Sequence, residues 1–336
     1  MTSGSIASIA ESKNLFGEMV LNRVNIDREL LARRLFKIFS KLTIEELVSM
    51  ITNEFDETMA YLELLNGAKT CQKTSLLFNP HRLDTGTCSS KNSLFYAIKN
   101  EESFSSGLAR AVIFKHGKVN ELLYQVLQLG INGIQYVNEF PPHVAKKICI
   151  EYGINSSSKI LDPCAGWGGR LIGISTMCNN YTGFEPCTKT HSGLLKIVDF
   201  IKNFRTPFNG NIINAPFEDC MDLIDGGGFD LAITSPPYYD TELYSDEYTN
   251  SCNRYQTFEE WSENFYIPLI KKTMRNLKNG APFILNIGSR RYPLNEILLN
   301  YCQNEKFFCK KIGNLLSGKS GLGKSGEGEM FYEVRK

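Results

Sequence analysis

The chain predicts an α/β fold: a doubly wound, seven-stranded sheet with helices on both faces, preceded by a mainly helical region. Three observations carry this. From about residue 159 onward short apolar runs alternate with helical stretches. A glycine-rich turn, Asp162-Pro163-Cys164-Ala165-Gly166-Trp167-Gly168-Gly169, links the first of those runs to the first of those helices. Before residue 130 the apolar residues fall at helical spacing instead.

In order, Asp27–Phe39 has helical apolar spacing. Thr43-Ile44-Glu45-Glu46 is a capping box that opens a second helix, and a third runs near Glu54 to Leu65, stopped by Gly67. Residues 68–92 read as a polar loop, with Asn79-Pro80 and Asp84-Thr85-Gly86 as turn signals. Helical pattern returns at Leu94–Lys99, Leu108–Lys115 and Val119–Leu129. The strands expected next are Lys159–Leu161, Tyr181–Phe184, Asn211–Ile213, Phe229–Ile233, Pro282–Ile287, Phe307–Gly313 and Glu329–Val334. Helices fit between them at Gly169–Met177, Thr188–Phe204 and Phe258–Asn276. The natural division is 1–132, a helical region suited to target recognition or partner binding, and 133–336, the α/β region.

With 336 residues the chain suits one large domain or two ordinary ones. Lys+Arg 37 against Asp+Glu 36 removes the strongly basic balance that marks many nucleic-acid binders, so any phosphate-binding surface must come from local clustering. The ten cysteines are scattered and lack zinc spacing, so they read as reduced, packed thiols, with no metal expected. The start lacks a signal-peptide pattern and no segment approaches a membrane span, so a soluble, cytoplasmic protein is expected. The oligomeric state is open.

The most chemical stretch is Thr234-Ser235-Pro236-Pro237-Tyr238, at the end of the run 229–233. Each proline fixes φ and removes an N–H, and each forces its predecessor into extended geometry. The carbonyls there are stiff acceptors that the chain does not consume. Ser235 Oγ and the Pro236 carbonyl can both accept from one exocyclic NH2, and Tyr238 offers a face for stacking. The plain alternative is a proline turn that merely closes a strand. At the glycine turn an acidic residue, Asp162, ends the first strand, and Glu185 follows the second, where a carboxylate suits the two hydroxyls of a ribose.

Ser235-Pro236-Pro237-Tyr238 resembles the catalytic motif of the S-adenosyl-L-methionine (AdoMet)-dependent DNA methyltransferases that modify N4 of cytosine or N6 of adenine. Asp162 through Gly168 resembles their cofactor turn, usually Asp-Pro-Phe-x-Gly-x-Gly; Cys164 stands here in place of Phe, and bulky Trp167 lies between the glycines. Glu139-Phe140-Pro141-Pro142 resembles the segment that covers the methionine part of AdoMet. Phe217 and Glu218, after the third strand, fall where the family places a polar residue near the adenine. The resemblance covers about residues 135–336 and implies the Rossmann-like seven-stranded methyltransferase sheet. It assigns Ser235, Pro236, Pro237 and Tyr238 to catalysis. It assigns Phe140, Pro141, Asp162, Cys164, Gly166, Gly168, Glu185, Phe217, Glu218 and Thr234 to AdoMet. NAD is the rival cofactor, but a clean G-x-G-x-x-G and a dehydrogenase acid/base set are both missing.

An exocyclic amine is a poor nucleophile because its lone pair is delocalised into the ring. Two fixed acceptors off the ring plane would free that pair, which is positioning and electrostatic preorganisation. C5-cytosine methylation uses a Pro-Cys nucleophile, and none sits at the matching strand end, after the run 229–233. The base would have to be flipped out of the duplex. Serine before Pro-Pro-Tyr is more typical of N4-cytosine enzymes, with adenine N6 as the alternative. An RNA base N-methyltransferase, or a silent AdoMet-fold protein that binds nucleic acid, are the other readings; a restriction partner is open. Tyr239, Tyr244, Tyr248, Arg254 and Tyr255 suit a loop that closes on DNA, or one whose tyrosines pack locally. Gly318-Lys319-Ser320-Gly321-Leu322-Gly323-Lys324-Ser325 fits the P-loop pattern, but no helix and no metal-binding carboxylates follow, so ATP is not expected. Lys319 and Lys324 would be solvated or touch DNA phosphates.

Overall fold

A computed structural model describes residues 33, 36–52, 55–68, 73–87, 93–105, 137, 139–220, 228–288, 291–313 and 329–336. The expected helices 108–115 and 119–129, most of 27–39 and the Gly318–Ser325 loop lie outside the described residues. The chain clusters into two compact units, one of Met1–Phe55 with Pro80–Asn138 and one of Asp56–Asn79 with Glu139–Lys336. The division is therefore not one cut near residue 132: a segment from the first half of the chain belongs with the sheet.

In the smaller unit, α1 (Ile44–Ile51) opens on the expected capping box. Thr43 N–H donates to Glu46 Oε2 at 3.0 Å, and Glu46 N–H donates back to Thr43 Oγ1 at 3.1 Å. Phe39 is buried against Phe104, with ring centroids 5.4 Å apart.

In the larger unit, α2 (Glu57–Leu65) and α3 (Thr74–Phe78) precede the sheet. The second is a departure from the loop expected over 68–92, as is a 3-10 turn over Pro80–Asp84 in the smaller unit. Packing overrides the turn residues here. Tyr61 and Phe78 both contact Phe200, at 5.7 and 5.6 Å. The smaller unit continues with α4 (Leu94–Lys99), where helix was expected.

The sheet strands are β1 (Lys159–Asp162), β2 (Asn180–Phe184), β3 (Asn209–Ile213), β4 (Leu231–Thr234), β5 (Phe283–Ile287), β6 (Phe308–Gly313) and β7 (Met330–Arg335). Their order is β3-β2-β1-β4-β5-β7-β6. The first five are parallel, and β7 runs antiparallel to both β5 and β6. This is the Rossmann-like arrangement, a doubly wound sheet closed by an antiparallel hairpin.

Between the strands lie α5 (Pro142–Glu151), α6 (Gly169–Ser175), α7 (Thr188–Lys202), α8 (Ile267–Asn276) and α9 (Leu294–Glu305). The helix expected over 258–276 begins as Phe258–Trp261, widens into a π turn over Ser262–Tyr266 and continues as α8. Leu269, Ile270 and Leu298 from α8 and α9 share a core cluster with Phe283, Leu285 and Ile287 of β5. The alternate strand residues, such as Ile160, Ile233 and Ile284, are buried too, so both faces are covered. The chain order reverses at β1 and β4, and ligands of such sheets lie outside the carboxyl ends of the strands at that point.

Candidate active site

The carboxyl ends of β1 and β4 are neighbours, with Leu161 paired to Ala232. Asp162, the last residue of β1, is fully buried, and its carboxylate is spent inside the chain. Arg170 Nε–H donates to Oδ2 at 2.8 Å, and the Tyr181 hydroxyl donates to the same oxygen at 2.9 Å. The Thr234 hydroxyl donates to Oδ1 at 2.9 Å, and Cys164 N–H reaches it at 3.3 Å. Asp162 is thus a brace for the glycine turn rather than an open ligand. Cys164 N–H also donates to Thr234 Oγ1 at 3.2 Å, and the Cys164 carbonyl accepts from Arg170. Thr234, immediately before Ser235, therefore joins the glycine turn to the proline turn.

The glycine turn needs its glycines for two reasons. Gly166 and Gly168 have φ of 55° and 95°, the left-handed region that side chains disfavour. Gly169 and Gly173 let α5 and its leader approach: a Cβ on Gly169 would collide with the Phe140 carbonyl oxygen, and one on Gly173 with that of Pro142. Phe140 and Pro141 are held against the turn in this way. Arg170 lies over the Phe140 ring, 5.2 Å from its centroid.

Glu185 follows β2 and bridges two loops. Its Oε2 accepts from Gly166 N–H at 3.1 Å and its Oε1 from Cys187 N–H at 2.9 Å. Burial pushes this carboxyl up to about 8, against the pull of those two donors. Glu218 follows β3, with Phe217 buried edge-on to Phe184 at 4.8 Å. Arg254 Nη1 donates to Glu218 Oε1 at 3.1 Å, while Glu218 Oε2 is buried with no hydrogen-bond partner. Burial raises Glu218 to about 7.

These residues fit an adenosyl group. Each Glu185 oxygen has a lone pair left for a ribose hydroxyl, and the orphaned Glu218 oxygen suits an adenine amine. Among the described residues no cluster of His, Cys, Asp or Glu could hold a metal ion. No described helix is long and apolar enough to cross a membrane.

Beyond Thr234, Ser235 is half-buried, and its Oγ lies 3.3 Å from the Tyr238 hydroxyl. Burial raises the Tyr238 pKa, so it stays neutral. The Tyr238 ring lies against Gly288, just past β5, where a Cβ would sit 3.2 Å from it. Tyr239 has φ of 56°, unusual for a bulky residue, and is held there by aromatic contacts. Its ring is 6.0, 5.9 and 5.4 Å from those of Phe258, Trp261 and Tyr292, and its hydroxyl donates to the Gln256 carbonyl at 2.6 Å.

The segment 239–261 makes several contacts within its own unit. Tyr244 lies 5.9 Å from Trp167. Glu247 accepts from Thr188 N–H at 3.0 Å, and Arg254 pairs with Asp219 at 2.8 Å as well as with Glu218. Tyr248 is 75% exposed. Sequence reasoning missed Arg170, Tyr181 and Glu247 as supports, because they act on the site through other residues and carry no motif of their own.

No family model matches the chain, and no curated protein matches it. Solved structures that resemble it include an rRNA methylase from Streptococcus thermophilus, 12% identical, covering 60% of this chain and 98% of that one, with a TM-score of 0.40. A tRNA (m1A58) methyltransferase from Aquifex aeolicus is 15% identical over 61% of this chain and 79% of that one, with a TM-score of 0.37. A SAM-dependent O-methyltransferase from Thermotoga maritima is 10% identical over 59% and 67%, with a TM-score of 0.39. Likeness at this level leaves the fold to be read from the strand order itself.

Proposed function

We propose that this chain is an AdoMet-dependent methyltransferase acting on an exocyclic amine of a DNA base, N4 of cytosine ahead of N6 of adenine. One observation carries the reading: Thr234 Oγ1 is bonded at once to Asp162 and to the Cys164 N–H, so the cofactor turn and Ser235-Pro236-Pro237-Tyr238 share a polar joint at one sheet edge. The choice of DNA and of cytosine rests on the Ser-Pro-Pro-Tyr resemblance.

AdoMet supplies an electrophilic methyl group on a cationic sulfur. Glu185 would hold its ribose and Glu218 its adenine amine, with Phe140-Pro141 alongside the methionine end. Ser235 Oγ and the Pro236 carbonyl would accept from the target amine and draw it out of conjugation with its ring. The Tyr238 hydroxyl, now on Ser235 Oγ, would orient that oxygen while the ring borders the base.

The test separates binding from transfer. Calorimetry gives AdoMet affinity, and labelled methyl transfer to DNA gives turnover. Ser235→Ala is expected to cut turnover on the order of 10²-fold with little change in AdoMet affinity. Glu185→Ala is expected to weaken AdoMet roughly tenfold or more. Equal loss of AdoMet affinity in both variants would contradict these roles.

A further inference from the structure

One buried polar side chain beside the catalytic turn has no work in this scheme. Asn286 of β5 is 1% exposed, and neither Nδ2 nor Oδ1 has a hydrogen-bond partner. An amide left so inside a sheet destabilises the fold and calls for a reason.

Its surroundings supply one. Strand alternation separates Asn286 from Phe283, Leu285 and Ile287, which face the α8–α9 core. Two residues on, at the rim of the sheet, a Cβ on Gly288 would sit 3.2 Å from the Tyr238 ring, which also packs on the α8–α9 cluster. Across the strand pair it is opposite Phe331, and Phe331 packs on Phe140 at 5.9 Å. Thr234 is registered with Leu285, so the next step along both strands sets Asn286 beside Ser235. The register therefore places the amide beside the Phe140 segment, the proposed methyl-donor side, and next to Ser235 of the catalytic turn, the proposed acceptor side.

We infer that Asn286 is a positioning residue for the target base, reading its amine and the ring nitrogen next to it. This rests on the function proposed above. Both amide atoms are unpaired, so the partner must offer a donor and an acceptor side by side. Cytosine N4–N3 and adenine N6–N1 do so. One amine hydrogen would go to Asn286 Oδ1 and the other to the Ser235–Pro236 acceptors, while Asn286 Nδ2–H donates to the ring nitrogen. That nitrogen separates these edges from a keto base, whose ring N–H is a donor.

The test uses the full chain, AdoMet and an oligonucleotide duplex that carries the methylated position found by mapping. Asn286→Leu removes the amide at similar volume. It is expected to bind AdoMet within about twofold of the parent and to lose roughly 10- to 100-fold in kcat/KM for the duplex. A second measurement does not depend on the variant's folding. The parent should lose a similar factor on a target whose ring nitrogen is C–H, 3-deazacytosine or 1-deazaadenine according to the base mapped. In Asn286→Leu that replacement should cost little more than about twofold. Unchanged kcat/KM in Asn286→Leu, or a parent indifferent to the deaza base, overturns the inference while leaving the methyltransferase reading intact. A tenfold loss of AdoMet affinity would instead assign the amide to the cofactor and also overturns it. A parent that methylates no base removes both readings.

Discussion

Asp162 shows how a residue with a familiar position acts through others. Its position at the end of β1 is legible from the turn that follows, but its partners are not, because Tyr181 and Thr234 come from strands 19 and 72 residues away. Asp162→Ala would leave the Arg170 guanidinium buried without its carboxylate. Urea unfolding should then show a loss of about 3–5 kcal/mol, with weaker AdoMet binding as a consequence. Glu185 gives a pH signature. Ligand-free, its carboxyl titrates near 8, above the ordinary 4.5. On its own it makes the fold less stable as pH rises from about 4.5 to about 8, since the folded form holds a proton that the unfolded chain has released. Ribose hydroxyls and a cationic sulfur favour the charged form, so binding expels that proton. Calorimetry from about pH 6 to about pH 9 should show AdoMet affinity rising with pH and levelling near 8. Glu185→Gln should remove the part of the rise that extends to about pH 8 and leave the part below about pH 7 that belongs to Glu218. An unchanged slope in that variant would assign the titration to another group.

At the scale of elements, the strands and most of the described helices were legible from apolar periodicity, which is set by residues adjacent in sequence, although α9 was not expected. The glycine turn was legible because Gly166 and Gly168 are required by backbone angle. What escaped was tertiary. Nothing local marks 74–78 as helical, and its order comes from packing on α7, as does the Asn79 side chain, which donates to the Trp167 carbonyl at 3.1 Å and so supports the glycine turn. The tyrosines of 239–261 were open between a DNA-facing loop and local packing. Most of those described pack within the unit, because the segment must hold Tyr239 in its left-handed conformation and dock on the loops after β2 and β3. Gly173→Ala forces α5 and α6 apart at the Pro142 carbonyl, and thermal or urea unfolding should register about 1–3 kcal/mol of destabilisation. Glu247→Ala removes the carboxylate that takes the Thr188 N–H in place of a side-chain cap of α7 itself. It should cost about 1 kcal/mol and hasten AdoMet dissociation in stopped-flow.

Across the whole molecule, two motifs about 70 residues apart meet because β4 inserts beside β1, at the point where the winding of the sheet reverses. Alternation of strands and helices made the doubly wound class legible. Strand order was not legible, since no local pattern says which strands are neighbours. The same limit hid Asn286: in sequence it is one polar residue in the apolar run Phe283–Ile287, and it gains meaning only beside Ser235 and the Phe140 segment. The division of the chain was harder still, because Asp56–Asn79 joins the sheet unit across a long gap in sequence. The proposed activity is tested most directly by incubating the full chain with AdoMet and either DNA or RNA, digesting to nucleosides and analysing them by mass spectrometry. N4-methylcytosine from DNA is the expected product, with N6-methyladenine as the outcome that would keep the mechanism and change the base. A methylated ribonucleoside alone, 5-methylcytosine, or no methylated base from either polymer would contradict it.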